Sequence, residues 1–178
     1  MVDVLEFDEP IYGQYHPVPS MFQTVSPGGP ARFLVDLKKN DIVARRSIGY
    51  LHAPDFPSID PRNAMRKYND FWMLGISSAG QPGRKFFDEL VHATWDQAAP
   101  TDIYRCPAGC YLGGEPVFIG APGSPEGAVI CQEFNARSEK SSFLLFDAYS
   151  VSRGPIARLQ SHYLLPLGFH ASFAREGS

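Results

Sequence analysis

The stretch 33-FLVDLKKNDIVAR-45 decides the fold class, because it reads as two short strands joined by a polar turn. Apolar and β-branched residues fill both runs, which is typical of strands. Lys-Lys-Asn-Asp at positions 38 to 41 supplies the residues of a hairpin turn. The pattern predicts an antiparallel pair of strands in an all-β protein.

A similar pattern returns later in the chain and indicates an internal repeat. The stretch 143-FLLFDAYSVSRGPIAR-158 again has a strand ending near Asp, a turn, and a strand ending in Ala-Arg, and 90-LVHATWD-96 is a poorer copy. The aspartates of the three copies are 60 and 51 residues apart: Asp36, Asp96 and Asp147. This spacing fits four-stranded propeller blades with loop insertions. Strand-Asp-turn is also common at hairpin ends, so the repeat alone leaves both interpretations open.

The rest of the chain is divided into short apolar runs by 16 glycines and 16 prolines. Strands are predicted at Arg32–Leu37, Ile42–Ile48, Phe71–Ile76, Val117–Ile119, Ala128–Phe134, Phe143–Phe146 and Ile156–Gln160. The polar segment Asn135–Ser142 should close a second hairpin. Lys85–Asp96 has both helical spacing and strand-forming residues, and we assign it as strand. Residues 1–31 are predicted to be a proline-rich connector, and residues 32–178 the β domain.

Composition excludes several classes of function. The net charge of −3 and the pI near 5.9 argue against a nucleic-acid partner, which requires a basic surface. Three cysteines among 178 residues are too few for a secreted disulfide scaffold, and the acidic N-terminus has no apolar leader, so we expect a cytoplasmic protein. No apolar run has the length that a membrane span needs.

Two motifs carry residues that could bind a metal. In 165-LPLGFHASF-173 a histidine, His170, follows a short apolar run, and 113-GGEPVFIG-120 places Glu115 between two glycines and a predicted strand. A metal-binding imidazole usually donates its other ring N–H to a carboxylate, so the two residues could form one half of a metal site. Alternatively, His170 is an ordinary hydrogen-bonded histidine and Glu115 a solvated residue in a Gly-Gly turn.

Together with 55-DFPSIDPRNAMRKY-68, these motifs resemble, in order and spacing, the C-terminal portion of the carotenoid cleavage oxygenases. The resemblance runs from about Arg32 to Phe173. It implies a partial β-propeller, with about three blades of antiparallel sheet from a seven-bladed architecture. It also implies an Fe²⁺ cofactor held by four histidines, with His170 as one ligand and Glu115 as a carboxylate that orients an imidazole. Imidazole is a suitable ligand for this ion.

The chain departs from the family pattern at Asp55, which stands where the family usually has a second orienting glutamate. An aspartate is one methylene shorter, so it would reach an imidazole through a water or a small backbone shift, or it is simply a strand-end residue. Arg62 and Arg66 are expected to be structural, with Asp60 as a nearby partner.

The other histidines do not complete a site. The chain has four further histidines, His16, His52, His92 and His162. None of the four lies in a motif that resembles those of the remaining three iron ligands. A zinc site built from His92 and the cysteines Cys106, Cys110 and Cys131 is disfavoured, because only the Cys-x3-Cys pair has ligand spacing. No nucleophile motif for hydrolysis is present.

The resemblance therefore implies the C-terminal part of an Fe(II)-dependent dioxygenase. The expected reactants are dioxygen and a carotenoid, apocarotenoid or stilbene-like substrate, whose conjugated C=C bond is cleaved to carbonyl products. The alternative is a non-catalytic, truncated or degenerate β-module that pairs with a separate N-terminal propeller portion. Exposed strand edges would favour such pairing.

Overall fold

The computed structural model describes residues 1–10, 27–83, 85–96, 98–121 and 123–174, which form three antiparallel sheets. The first sheet contains β1 (Val2–Glu6), β2 (Gly29–Asp36) and β3 (Asp41–Ser47). The second contains β4 (Ala53–Ser58), β5 (Asp70–Ile76), β6 (Glu89–Thr94) and β7 (Asp102–Arg105). The third contains β8 (Cys110–Ile119), β9 (Ala128–Asn135), β10 (Lys140–Asp147) and β11 (Ala157–Gln160).

Within each sheet the strands follow one another in chain order, so each sheet is an up-and-down meander. Two single-turn 3₁₀ helices, Pro61–Asn63 and Val151–Arg153, are the only helical elements in the described ranges. The prediction of an all-β fold with about three antiparallel blades is confirmed.

The strands predicted from β-branched and aromatic runs all exist, with ends shifted by a few residues, and the ambiguous segment 85–96 contains β6. Sequence reasoning missed β1, β4, β7 and the first half of β8. Pro54 and Pro57 argued against a strand at β4, because proline is rare within strands. β4 tolerates both prolines because it is an edge strand of its sheet. Gly113, Gly114 and Pro116 conceal the start of β8 in the same way.

The internal repeat corresponds to equivalent positions in the three sheets. The three copies of the repeat fall on β2–β3, on β6 and on β10–β11. In each sheet the copy begins at the second-to-last strand, which is β2, β6 or β10. By this equivalence β1 of the first sheet matches β5 of the second and β9 of the third. The second and third sheets each have one more strand before these, β4 and β8, and no described residue fills the corresponding position in the first sheet. The strand β1 lies inside the segment predicted as a connector. Residues 11–26 of that segment are outside the described residues.

The main hydrophobic core lies between the second and third sheets. Its largest fully buried side chains include Trp72, Leu90, Leu112, Leu144 and Phe146. The Trp72 indole Nε1 donates a hydrogen bond of 2.6 Å to the carbonyl oxygen of buried Ala148, so one side chain ties the two sheets together by packing and by a polar contact.

A charged cluster stabilises the second sheet around Glu89, whose side chain is fully buried at the start of β6. Its carboxylate accepts hydrogen bonds from the Tyr50 hydroxyl at 2.7 Å and from Arg105 Nε at 3.0 Å, and it lies 2.7 Å from His52 Nδ1. Burial opposes ionisation of Glu89, but these hydrogen bonds outweigh it and lower the pKa of the carboxyl group. The buried charge is thus paired on both oxygens.

The three cysteines are all buried and none forms a disulfide. Burial raises the pKa of the Cys131 thiol to about 12, so this group stays protonated and unreactive at neutral pH. Within the described ranges, no helix is long and apolar enough to cross a membrane.

Replacing Trp72 by Phe should destabilise the protein more than replacing Trp95 by Phe. Both tryptophans are buried, but Trp95 Nε1 has no hydrogen-bond partner among the described residues, whereas Trp72 bonds Ala148. The loss of that bond should add about 1–3 kcal/mol to the cost of the smaller ring. Urea denaturation of the two variants measures the difference. Equal losses of stability would contradict the role given to the Trp72 hydrogen bond.

The Glu89→Gln variant should have a flatter dependence of stability on pH in the acid range. Because the folded-state pKa of Glu89 is lowered, its ionised form stabilises the fold fully above its ordinary value of 4.5, and this contribution is lost as pH falls through the folded pKa. Denaturant midpoints of both proteins, measured between neutral pH and roughly pH 3, test this. The same acid slope in both proteins would be the contrary result.

Candidate metal centre

Two edge strands of neighbouring sheets, β4 and β8, pack against each other, and both depart from regular pairing. The register of β8 with β9 shifts between Gly113 and Val117, and that of β4 with β5 shifts between Asp55 and Ser58. Such bulges turn side chains away from the regular alternation of a strand. The two predicted acidic residues, Glu115 and Asp55, lie at these irregularities.

Each irregularity contains a residue with left-handed backbone. Gly114 has φ +69°, which a glycine adopts without strain. Phe56 has φ +52°, which is uncommon for an aromatic residue and marks a backbone held by its surroundings. The glycine directly before Glu115 therefore has a structural reason.

The structure brings His170 and Glu115 together, although they are 55 residues apart. His170 Nδ1 lies 3.1 Å from Glu115 Oε1, and the backbone N–H of Ala171 lies 3.4 Å from Oε2. An ionised carboxylate can only accept, so this contact places a proton on Nδ1. The His170 side chain is 70% exposed, and its Nε2 has no hydrogen-bond partner among the described residues.

Aromatic rings surround the imidazole on one side. The Phe169 ring meets it edge to face with centroids 4.7 Å apart, and the Phe56 ring from β4 lies 6.1 Å away. A cavity of about 410 Å³ lies beside the pair and is lined by Glu115, His170 and apolar side chains that include Val117 and Phe143. The imidazole thus borders a mainly apolar space.

Asp55 lies close to this site but is bonded differently. Its Oδ1 accepts the backbone N–H of Phe56 at 2.8 Å, and no histidine among the described residues contacts its carboxylate. Asp55, Gly168 and Phe169 all line a smaller cavity of about 170 Å³. The structure therefore unites His170 with Glu115 and leaves Asp55 turned to its own backbone.

Two of the remaining histidines take part in structural pairs. His52 contacts buried Glu89, and His92 Nε2 lies 2.9 Å from Asp70 while its ring stacks on Trp72. The described part of the chain contains no group of three or more His, Cys, Asp or Glu side chains placed to hold a metal ion.

Arg62 is structural, as the sequence predicted. Its Nε donates to Asp60 at 2.9 Å and its Nη1 to the Ser124 carbonyl at 2.9 Å, so it pins the loop before β9.

Comparison with known proteins decides the family. The sequence matches the family model described as retinal pigment epithelial membrane protein (RPE65) over residues 1–175. The chain belongs to this family. The resemblance to the carotenoid cleavage oxygenases is thereby confirmed, and it extends over the first 31 residues as well.

Three proteins to which this chain is similar are named as oxygenases. The apocarotenoid-15,15'-oxygenase of Synechocystis sp. is 24% identical over 162 residues, which are 86% of this chain and 31% of that protein. The cobalt-substituted Synechocystis apocarotenoid oxygenase superposes with a TM-score of 0.80 at 18% identity, over 97% of this chain and 36% of that one. The lignostilbene dioxygenase of Pseudomonas brassicacearum superposes with a TM-score of 0.69 at 21% identity, over 83% and 32% of the two chains.

These superpositions confirm the partial propeller, and they show that the chain spans about a third of the length of the relatives it matches. The family is one of non-haem, metal-dependent oxygenases. The donor set in this chain fits part of such a metal site, because His170 Nε2 is an imidazole donor while its Nδ1 faces the Glu115 carboxylate.

Sequence reasoning missed the residues that hold His170 in place. Phe56 was read only as part of a motif, and two buried polar residues, Gln132 on β9 and Ser141 on β10, were read only as strand or turn residues. Both bond the backbone of the segment before His170. Their partners lie far along the chain, so no local pattern could have indicated them.

A side chain at Gly113 should displace the segment that carries His170. A Cβ at this position would lie 2.8 Å from Leu167 Cδ2, 3.1 Å from its Cβ and 3.3 Å from Gly168 N. We expect Gly113→Ala to cost about 1–3 kcal/mol by overpacking, and to shift the NMR signals of His170. Gly29→Ala is the control, because nothing lies within 4 Å of its added Cβ. Unchanged His170 signals in Gly113→Ala would show that the segment does not depend on this contact.

Proposed function

We propose that this chain is the C-terminal part of an Fe(II)-dependent dioxygenase that cleaves a conjugated C=C bond. The observation that carries the proposal is the His170–Glu115 pair beside an apolar cavity, in a chain of an oxygenase family. The substrate class is a carotenoid, apocarotenoid or stilbene-like molecule, because the characterised relatives are named for apocarotenoid and lignostilbene substrates.

The overall reaction consumes one dioxygen molecule and one double bond, and each oxygen atom ends in one of the two carbonyl products. Ferrous iron, when bound, supplies the centre at which dioxygen is activated. His170 contributes Nε2 as a ligand. Glu115 keeps the proton on Nδ1 and fixes the ring plane.

Apolar side chains beside the pair have a separate role. Val117, Ile130, Phe143 and Phe173 line the same cavity as His170, and they would contact an apolar polyene and exclude water from the reacting bond. Asp55 is proposed to orient a second imidazole from outside the described residues. This requires its carboxylate to leave the Phe56 N–H or to act through a water.

The missing ligands are proposed to come from an N-terminal propeller portion. Support comes from the first sheet, in which the position beside β1 is filled by no described residue, and from the share of about a third that the chain covers in its relatives. A strand of that portion would pair with the β1 edge and complete the blade. The free, buried thiols suit a reducing compartment, and we propose the cytoplasm.

A second candidate function is a non-catalytic β-module of the same family. The observation that favours it is Asp55, which replaces the usual glutamate and bonds its own backbone rather than an imidazole. Such a module would keep the fold and the pairing edge without turning over substrate.

Metal binding in the complete assembly separates the two candidates. We expect His170→Ala to abolish iron-dependent cleavage, and Glu115→Gln to weaken iron affinity or activity roughly 10 to 100-fold. His162→Ala is the matched control, since His162 is an exposed histidine eight residues before His170. Iron content by elemental analysis and product formation from an apocarotenoid are the two measurements.

The isolated chain should hold well under one equivalent of iron, because one imidazole and its carboxylate partner do not make a tight site. Full activity in His170→Ala would refute the ligand assignment. An assembly that binds no iron at all would favour the non-catalytic module.

A further inference from the structure

We infer that Gln132 is a positioning residue for His170, with Ser141 as its partner, and that together they clamp the C-terminal segment onto the third sheet. The inference builds on the proposed role of His170 as a metal ligand. It concerns a different question, namely what fixes an imidazole that lies outside any strand.

The segment 161–174 has no helix or strand of its own. Most of its side chains are exposed, including Tyr163, Leu164 and Phe169. A segment of this kind would ordinarily be mobile, because it buries few apolar contacts and has no ladder of backbone hydrogen bonds. His170 can nevertheless meet Glu115 only if the preceding backbone has a fixed course.

Gln132 fixes the course of this backbone by bonding the residues before and after Leu167. Its Nε2 donates to the Pro166 carbonyl at 2.8 Å, and its Oε1 accepts the Gly168 N–H at 2.7 Å. A side-chain amide can do both at once, because its nitrogen donates and its oxygen accepts. Leu167 lies between the two bonded residues and packs over Gly113, the residue that pairs with Gln132 across the sheet.

Ser141 makes the corresponding contact one step earlier. Its hydroxyl accepts the Leu165 N–H at 3.0 Å and donates to the Leu165 carbonyl at 2.9 Å. Its side chain is fully buried on β10, and Gln132 is 8% exposed on β9. Two buried polar residues in a sheet would be costly without partners, and both direct their hydrogen bonds to this segment.

The last contact joins the segment to the bulge that carries Glu115. The Gly114 N–H donates to the Gly168 carbonyl at 2.7 Å, so the residue before Glu115 and a residue two before His170 are bonded directly. The clamp and the bulge together set the distance between the imidazole and the carboxylate.

The test uses Gln132→Glu, which keeps the shape of the side chain and removes the donor. The carboxylate would face the Pro166 carbonyl, so we expect amide hydrogen exchange at Leu165 and Gly168 to accelerate roughly tenfold to hundredfold. The ring ¹⁵N signals of His170, at fixed pH, should move in the same direction as in Glu115→Gln. Gln160→Glu is the control, because it makes the same chemical change at an exposed position of β11.

Exchange at Leu90, in the core of β6, reports whether the whole fold is affected. If Gln132→Glu unfolds the protein, the Ser141→Ala variant tests the inference instead. We expect it to accelerate amide hydrogen exchange at Leu165 by the same factor. The inference is overturned if exchange and His170 signals in both variants stay within the range of the Gln160→Glu control.

These measurements need no metal, so they separate the clamp from the proposed function. A negative result in the exchange and NMR measurements would overturn the clamp without contradicting iron binding by His170. An assembly that binds no iron would contradict the proposed function without contradicting the clamp.

Discussion

The bulge in β8 between Gly113 and Val117 is the constraint on which the candidate site depends. A regular strand would place Glu115 in the alternation of its neighbours, and a side chain at position 113 would exclude Leu167. Because the bulge turns Glu115 and exposes the Gly114 N–H, the same three residues orient the carboxylate and receive the C-terminal segment. The His170–Glu115 pair is thus a consequence of how one edge strand is interrupted.

The described residues contain three contacts between a histidine and a carboxylate, and only their surroundings distinguish them. His52 and Glu89 belong to a buried charge cluster, while His92 is stacked on Trp72 within the packed second sheet. His170 lies beside an apolar cavity, on the segment 161–174, which has no helix or strand. Family membership together with this placement, rather than the hydrogen bond itself, gives the third pair its functional interpretation.

Sequence predicted the fold well where strands are rich in β-branched and aromatic residues, as in β2, β5 and β9. It failed at β4, where Pro54 and Pro57 contradict a strand pattern and only the edge position makes them tolerable. The His170 and Glu115 motifs were visible because flanking glycines and aromatics resemble a known family. Gln132 was not visible, since its partner Pro166 is 34 residues away and a single polar residue in a strand predicts no contact.

Diffraction from crystals of the complete assembly loaded with cobalt or iron, collected at the absorption edge of the metal, tests the central claim most directly. We expect an anomalous peak within coordination distance of His170 Nε2, with Nδ1 still bonded to Glu115. A metal peak elsewhere in the propeller, with His170 exposed to solvent and apart from Glu115, would contradict it.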